Sequence, residues 1–233
     1  MRLSSTIGNK TKAAAGSKRD KMLQDFLQKH DFIEVCGEPF IIDMMYAKDE
    51  NIALRPAYQE IGFGNRALVH VDLAACLQQL APRLVSEGMK LRIRDAYRPP
   101  LAHQLLVRSV PVEGLFASVP QRSLHCYGTA IDCCLTDEKG RNLLFPTEID
   151  AYDIKYARQL ARGETAAYYK HLQKARQDFY TSEFAVAINN RELLKKMMTE
   201  VGFETIGSEW WHYQLPLGRE NYPMVDWSLA DWD

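Results

Sequence analysis

The feature that most constrains this chain is a carboxylate in the middle of an apolar run, Ala130-Ile131-Asp132-Cys133-Cys134-Leu135. Such a run reads as a buried strand, and a charge buried there is costly unless it is paired or bound to a metal. The fold must therefore bring partners to Asp132. His125 lies seven residues upstream, across Gly128, a turn residue that lets the chain double back so that the two side chains converge. A second segment far downstream, Ser208-Glu209-Trp210-Trp211-His212-Tyr213-Gln214-Leu215, offers a histidine and a carboxylate among aromatics able to shield a site from water.

A catalytic zinc needs three protein ligands and one open position, and His125, Asp132 and His212 supply such a set. Two imidazoles and one carboxylate also suit non-haem iron(II). Zinc is preferred because Glu209 then remains beside the ligands as a general base for metal-activated water. Each residue has a plainer reading alone: a single buried histidine is more often a hydrogen-bonded core residue, and paired tryptophans more often core. Asp132 shifts the balance towards a metal. Arg98 follows an alternating segment, Leu91 to Tyr97, and stands at a strand end, where it serves either an ordinary ion pair or an oxyanion.

The other elements follow from periodicity. The spacing predicts helices over Asp20–His30, Val71–Glu87 with Gly88 as its C-terminal stop, Ala102–Ser109, Ile154–Tyr180 and Asn190–Val201, and strands over Phe32–Val35, Phe40–Met44, Leu91–Tyr97 and Glu209–Leu215. Strands and helices do not alternate regularly, which points to an α+β fold, and 233 residues fit a single domain. A basic, flexible N-terminal arm is expected over residues 1–20 and the folded domain over 21–233. Twenty-nine basic residues against thirty acidic ones leave no pull towards nucleic acid or an anionic membrane. No run of about 20 apolar residues suggests a bilayer span. The arm lacks the apolar segment of a secretory signal, and five cysteines without C-x-x-C spacing suggest reduced thiols and a cytoplasmic location.

The motifs Ser-x-His, six residues, Asp, and later Glu-x-Trp-His resemble those of the zinc D-alanyl-D-alanine dipeptidases, relatives of murein D,D-carboxypeptidases and phage endolysins. Here they comprise Ser123, His125, Asp132, Glu209, Trp211 and His212. The segments DAYRP and IIDMMYA resemble two further family islands, and the likeness runs from about residue 32 to 215. The resemblance implies one zinc ion per chain and a central, mainly antiparallel sheet with flanking helices, as in hedgehog-like D,D-peptidases. It also implies hydrolysis of a small D,D-dipeptide, most simply D-Ala-D-Ala, in cell-wall metabolism. By the same likeness Arg98 stabilises the transition state, Tyr46 and Ser123 help bind substrate, and a carboxylate in the FPTEID loop anchors the substrate amine. Asp150 is that candidate, with Glu148 and Asp153 as alternatives. The family's Ser-Arg after the first histidine is Cys126-Tyr127 here, and NIALRPAYQ replaces its Asn-Phe-x-Gly segment. These departures leave two further readings open: a related zinc peptidase acting on murein stem peptides or another dipeptide, and a zinc-stabilised binding protein without catalysis.

Overall fold

The computed structural model describes residues 6–7, 18–110, 112–175, 185–216 and 219–227. The first helix, α1, spans Lys18–Lys29, and Thr6–Ile7 forms β1. Most of the expected N-terminal arm lies outside the described residues. The strands β2 (Phe32–Val35) and β3 (Phe40–Ile42) match the two expected extended segments but belong to different sheets, because the turn at Gly37 sends the chain across. A short helix α2 (Ala57–Glu60) and β4 (Ala67–His70) follow; β4 pairs antiparallel with β2, completing a small sheet in the order β1-β2-β4.

The larger sheet carries the site. Its strands are β5 (Met89–Asp95), β6 (Ala130–Asp137), β7 (Glu204–Ile206) and β8 (Glu209–Gln214), in the order β3-β5-β6-β8-β7. All its pairings are antiparallel except β3 with β5. β6 is central, and its residues from Ala130 to Thr136 are all buried, which explains the apolar run that surrounds Asp132. On β5 burial alternates, the signature of a strand with one covered face.

Packed on β2, β4 and β5 is α3 (Val71–Ser86). Its inward stripe holds Leu73, Leu77, Leu80 and Leu84, all fully buried, each contributing about 1.5–3 kcal/mol relative to an exposed side chain. Gly88, at φ 64°, lies just beyond its end as the periodicity predicts. After β5 comes α4 (Pro100–Ser109), which starts at the first position that the Pro99-Pro100 pair permits. The expected helical stretch over Ile154–Tyr180 is divided into α5 (Ile154–Leu160) and α6 (Ala166–Leu172), because Gly163 takes φ 79° and ends the first; residues 176–180 lie outside the description. These two helices cover a small apolar cluster of their own, containing Ile52, Val110, Leu115, Ala151, Leu160 and Tyr168. The last helix, α7, begins at Ala185, five residues before the expected start, and ends at Glu200.

Candidate active site

His125 sits in a single turn of 3-10 helix, Leu124–Tyr127, closed by Gly128 at φ 67°. The chain then enters β6, where Asp132 lies directly across from His212 on β8. The sharp turn and one rung of an antiparallel ladder thus gather three side chains. His125 Nε2 is 3.2 Å from His212 Nδ1 and 3.4 Å from Asp132 Oδ1, and the last two atoms are 3.2 Å apart.

Hydrogen bonds on the far side of each ring determine what those atoms carry. His125 Nδ1 lies 2.9 Å from the Ala96 carbonyl, which only accepts, so Nδ1 carries a proton and in the neutral ring Nε2 presents a lone pair. His212 Nε2 faces Gln214 Oε1 at 3.1 Å as the donor, and in the neutral ring this leaves Nδ1 with a lone pair as well. Two ring nitrogens and a carboxylate oxygen therefore converge, and with both rings neutral each nitrogen offers a lone pair, a donor set that could hold a metal ion. Bonds of about 2.0–2.2 Å in a tetrahedral site set ligand atoms about 3.3–3.6 Å apart, and the observed triangle has nearly those edges. All three residues are buried. Against the cost of burial, His125 and His212 hold the Asp132 carboxyl well below the usual carboxylate range. Burial lowers the His125 pKa, but Asp132 and Asp95 outweigh it and raise the imidazole.

Glu209 begins β8, and its carboxylate lies 3.9 Å from His212 Nδ1 with the side chain 16% exposed. Burial, countered by His212 and reinforced by Asp132 and Asp150, pushes it up to about 8. A carboxyl poised near neutrality is suited to exchanging protons. Arg98 lies three residues beyond β5, only 4% exposed, between the rings of Tyr46 and Phe116 at 5.0 and 5.3 Å. Its Nε and Nη2 donate to Asp95 Oδ2 at 2.9 and 2.6 Å, and its Nη1 faces His103 Nδ1 at 3.4 Å. Because His103 Nε2 donates to the Ala117 carbonyl, Nδ1 is the acceptor. Burial and the adjacent guanidinium drop the His103 pKa to about 4, keeping that ring neutral.

A cavity of about 630 Å³ opens over the triad, lined among others by Arg98, Ser123, Phe116, Asp150, Glu209 and Gln214. Of the three acidic candidates in and after the FPTEID loop, Asp150 is buried and lines the cavity. Glu148 is exposed, and the exposed Asp153 caps α5 by accepting from Lys155 N at 2.7 Å. Burial first, then the Asp132 charge, pushes Asp150 up to about 7, opposed by Tyr46 and Arg98. Tyr46 is fully buried behind the wall rather than lining it, and its hydroxyl donates to Asp150 Oδ2 at 2.5 Å.

Asp95, His103, Gln214 and Tyr58, whose hydroxyl donates to Asp95 Oδ1, are the neighbours that sequence reasoning missed. For Asp95 a signal existed: it precedes Arg98 by three residues at the end of a strand whose inward positions are otherwise apolar. His103 and Gln214 carry no such mark, since each is an ordinary member of a helix or strand pattern. None of the five cysteines is in a disulfide, and none belongs to the triad.

The profile of a family described as D-ala-D-ala dipeptidase matches residues 27–227. The D-alanyl-D-alanine dipeptidase of Escherichia coli (strain K12) is 32% identical over 184 residues, which cover 79% of this chain and 82% of that relative.

Proposed function

We propose, from the premise that this chain belongs to the D-ala-D-ala dipeptidase family, that it hydrolyses a small D,D-dipeptide, D-Ala-D-Ala first, to two free amino acids. As a member of that family it is a metallopeptidase, and the buried triangle of His125, Asp132 and His212 is the observation that carries the assignment of its site. In this reading His125 Nε2, His212 Nδ1 and an Asp132 oxygen hold one zinc ion. Bound there, zinc supplies Lewis acidity towards the scissile carbonyl and acidifies a coordinated water.

The remaining steps belong to the chain's own groups. Glu209 takes a proton from the attacking water as its oxygen bonds to the carbonyl carbon. It then delivers that proton to the leaving nitrogen as the C–N bond breaks, so that it ends as it began. The Arg98 guanidinium, held in the wall by Asp95, stabilises the negative oxygen of the tetrahedral state. Asp150 receives the substrate ammonium, Tyr46 holds that carboxylate in place, and Ser123, which borders the cavity, contributes a hydroxyl to binding. The peptidase domain spans residues 21–233, which enclose the matched segment 27–227. Free cysteines support a cytoplasmic setting, and among the described residues no helix is long and apolar enough to cross a membrane.

The test is release of D-alanine from D-Ala-D-Ala by zinc-replete protein, with metal content measured in parallel. Wild type is expected to release two equivalents, while Glu209→Gln keeps the metal and loses about 10²–10⁴-fold in rate. Zinc-loaded wild type that releases no alanine sinks the dipeptidase reading. The cavity volume favours one second reading, a peptidase acting on longer murein stem peptides, since 630 Å³ is roomy for two alanines. Cleavage of N-acylated D-Ala-D-Ala as fast as the free dipeptide selects it.

A further inference from the structure

Asp150 stands on an unusual piece of backbone. It and Ala151 take φ 57° and 48°, both left-handed and both disfavoured for a residue with a Cβ. Such a pair persists only where the surroundings hold it. Two tyrosines hold Asp150, one at its side chain and one at its backbone. Tyr46 donates to the carboxylate, and Tyr168 on α6 donates to the Asp150 backbone carbonyl at 2.5 Å. Tyr168 is fully buried in the small cluster that also contains Ala151. The next residue, Tyr169, accepts from Glu113 N at 3.0 Å, and Glu113 begins the Glu113–Ser118 stretch that lines the cavity.

We propose that Tyr168 is a positioning residue for substrate selection: through its hydroxyl, α6 fixes the strained turn that aims the Asp150 carboxylate at the free amine of the dipeptide. The proposal rests on Asp150 being the amine anchor, and it assigns a function to a helix that the metal and the catalytic groups do not use. A phenylalanine would fill the same space, so packing accounts for the ring and leaves the hydroxyl to be explained. That hydroxyl is spent on the backbone of the one residue of the FPTEID loop that lines the cavity.

The experiment measures calorimetric dissociation constants for D-Ala-D-Ala and N-acetyl-D-Ala-D-Ala in zinc-loaded protein carrying Glu209→Gln to prevent turnover. Asp150→Asn, Tyr168→Phe and the pair are compared, with thermal unfolding alongside. Tyr168→Phe is expected to weaken the free dipeptide about two- to tenfold, to leave the acetylated compound unchanged, and to add nothing once Asp150 is Asn. If Asp150→Asn is selective but Tyr168→Phe weakens both compounds equally, or neither, the positioning proposal is overturned and the amine anchor stands. If Asp150→Asn shows no selectivity, both fall. Should Tyr168→Phe fail to fold, Ala151→Gly is added to it to relieve the left-handed strain: selective weakening relative to Ala151→Gly alone supports the proposal, and equal or no weakening overturns it.

Discussion

Replacing Gly128 with alanine is the sharpest structural test of how the site is assembled. Gly128 has φ 67°, and a Cβ built on it falls 2.3 Å from Phe32 Cε1, 2.6 Å from Phe32 Cζ and 3.1 Å from the backbone nitrogen of His70. That nitrogen donates to the Gly128 carbonyl at 2.9 Å, so the turn is pinned to β4 and has little room to retreat. The left-handed backbone costs about 1–2 kcal/mol for any residue with a Cβ, and overpacking against a fixed ring adds about 1–3 kcal/mol. The sum, about 2–5 kcal/mol, corresponds to a drop of roughly 4–20 °C in Tm for a chain of this size. Gly88→Ala is the matched control: its φ is 64° and nothing lies within 4 Å of an added Cβ, so it isolates the backbone cost. Urea unfolding of both variants gives the two values. If Gly128→Ala costs no more than Gly88→Ala, the close approach of Phe32 carries no penalty and the reasoning is wrong. Because Gly128 lies between His125 and Asp132, the same variant is expected to bind metal more weakly even where it remains folded.

Gln214→Leu removes the acceptor that keeps the His212 proton on Nε2. Metal affinity is expected to fall about 10–100-fold in competition with a chromophoric chelator, and unchanged affinity refutes the tautomer assignment. For Asp150, with a pKa of about 7, the sign follows from the ammonium it receives. Below 7 the carboxyl is neutral and attracts no cation, so KM for D-Ala-D-Ala should fall as pH rises from about 6 to 7.5, before the amine itself deprotonates near 8. The charged groups around Asp150 are Asp132, Asp95, Glu209 and Arg98, with the Tyr46 and Tyr168 hydroxyls in contact. Asp150→Asn should flatten the profile; a slope shared by both enzymes assigns the titration elsewhere.

The parts of the fold legible in the sequence are those where one residue type does one job. The α3 stripe, the β6 run and the glycine stops at Gly88 and Gly128 depend on local spacing, and the structure follows them closely. The triad was legible because Asp132 contradicts its surroundings, and a buried contradiction demands a partner. What stayed hidden depends on distance along the chain. β4, only four residues long, and the separation of β2 from β3 into two sheets are set by pairing across dozens of residues. The break between α5 and α6 hung on Gly163, which a periodicity shared by the two helices masks. Tyr168 looked like one aromatic among several in a charged stretch, since a hydroxyl bonded to a remote carbonyl leaves no pattern in its own segment.

The rung that sets Asp132 opposite His212 has a further consequence. Side chains alternate between faces along a strand, so a slip of one residue between β6 and β8 sends one of these two groups to the wrong side. A chain that pairs β6 with β8 out of register keeps His125 beside Asp132 but lacks the third group. With a metal held there, its affinity for the refolded chain is expected to report strand alignment, distinguishing molecules that have merely formed the sheet from those that have formed it in register.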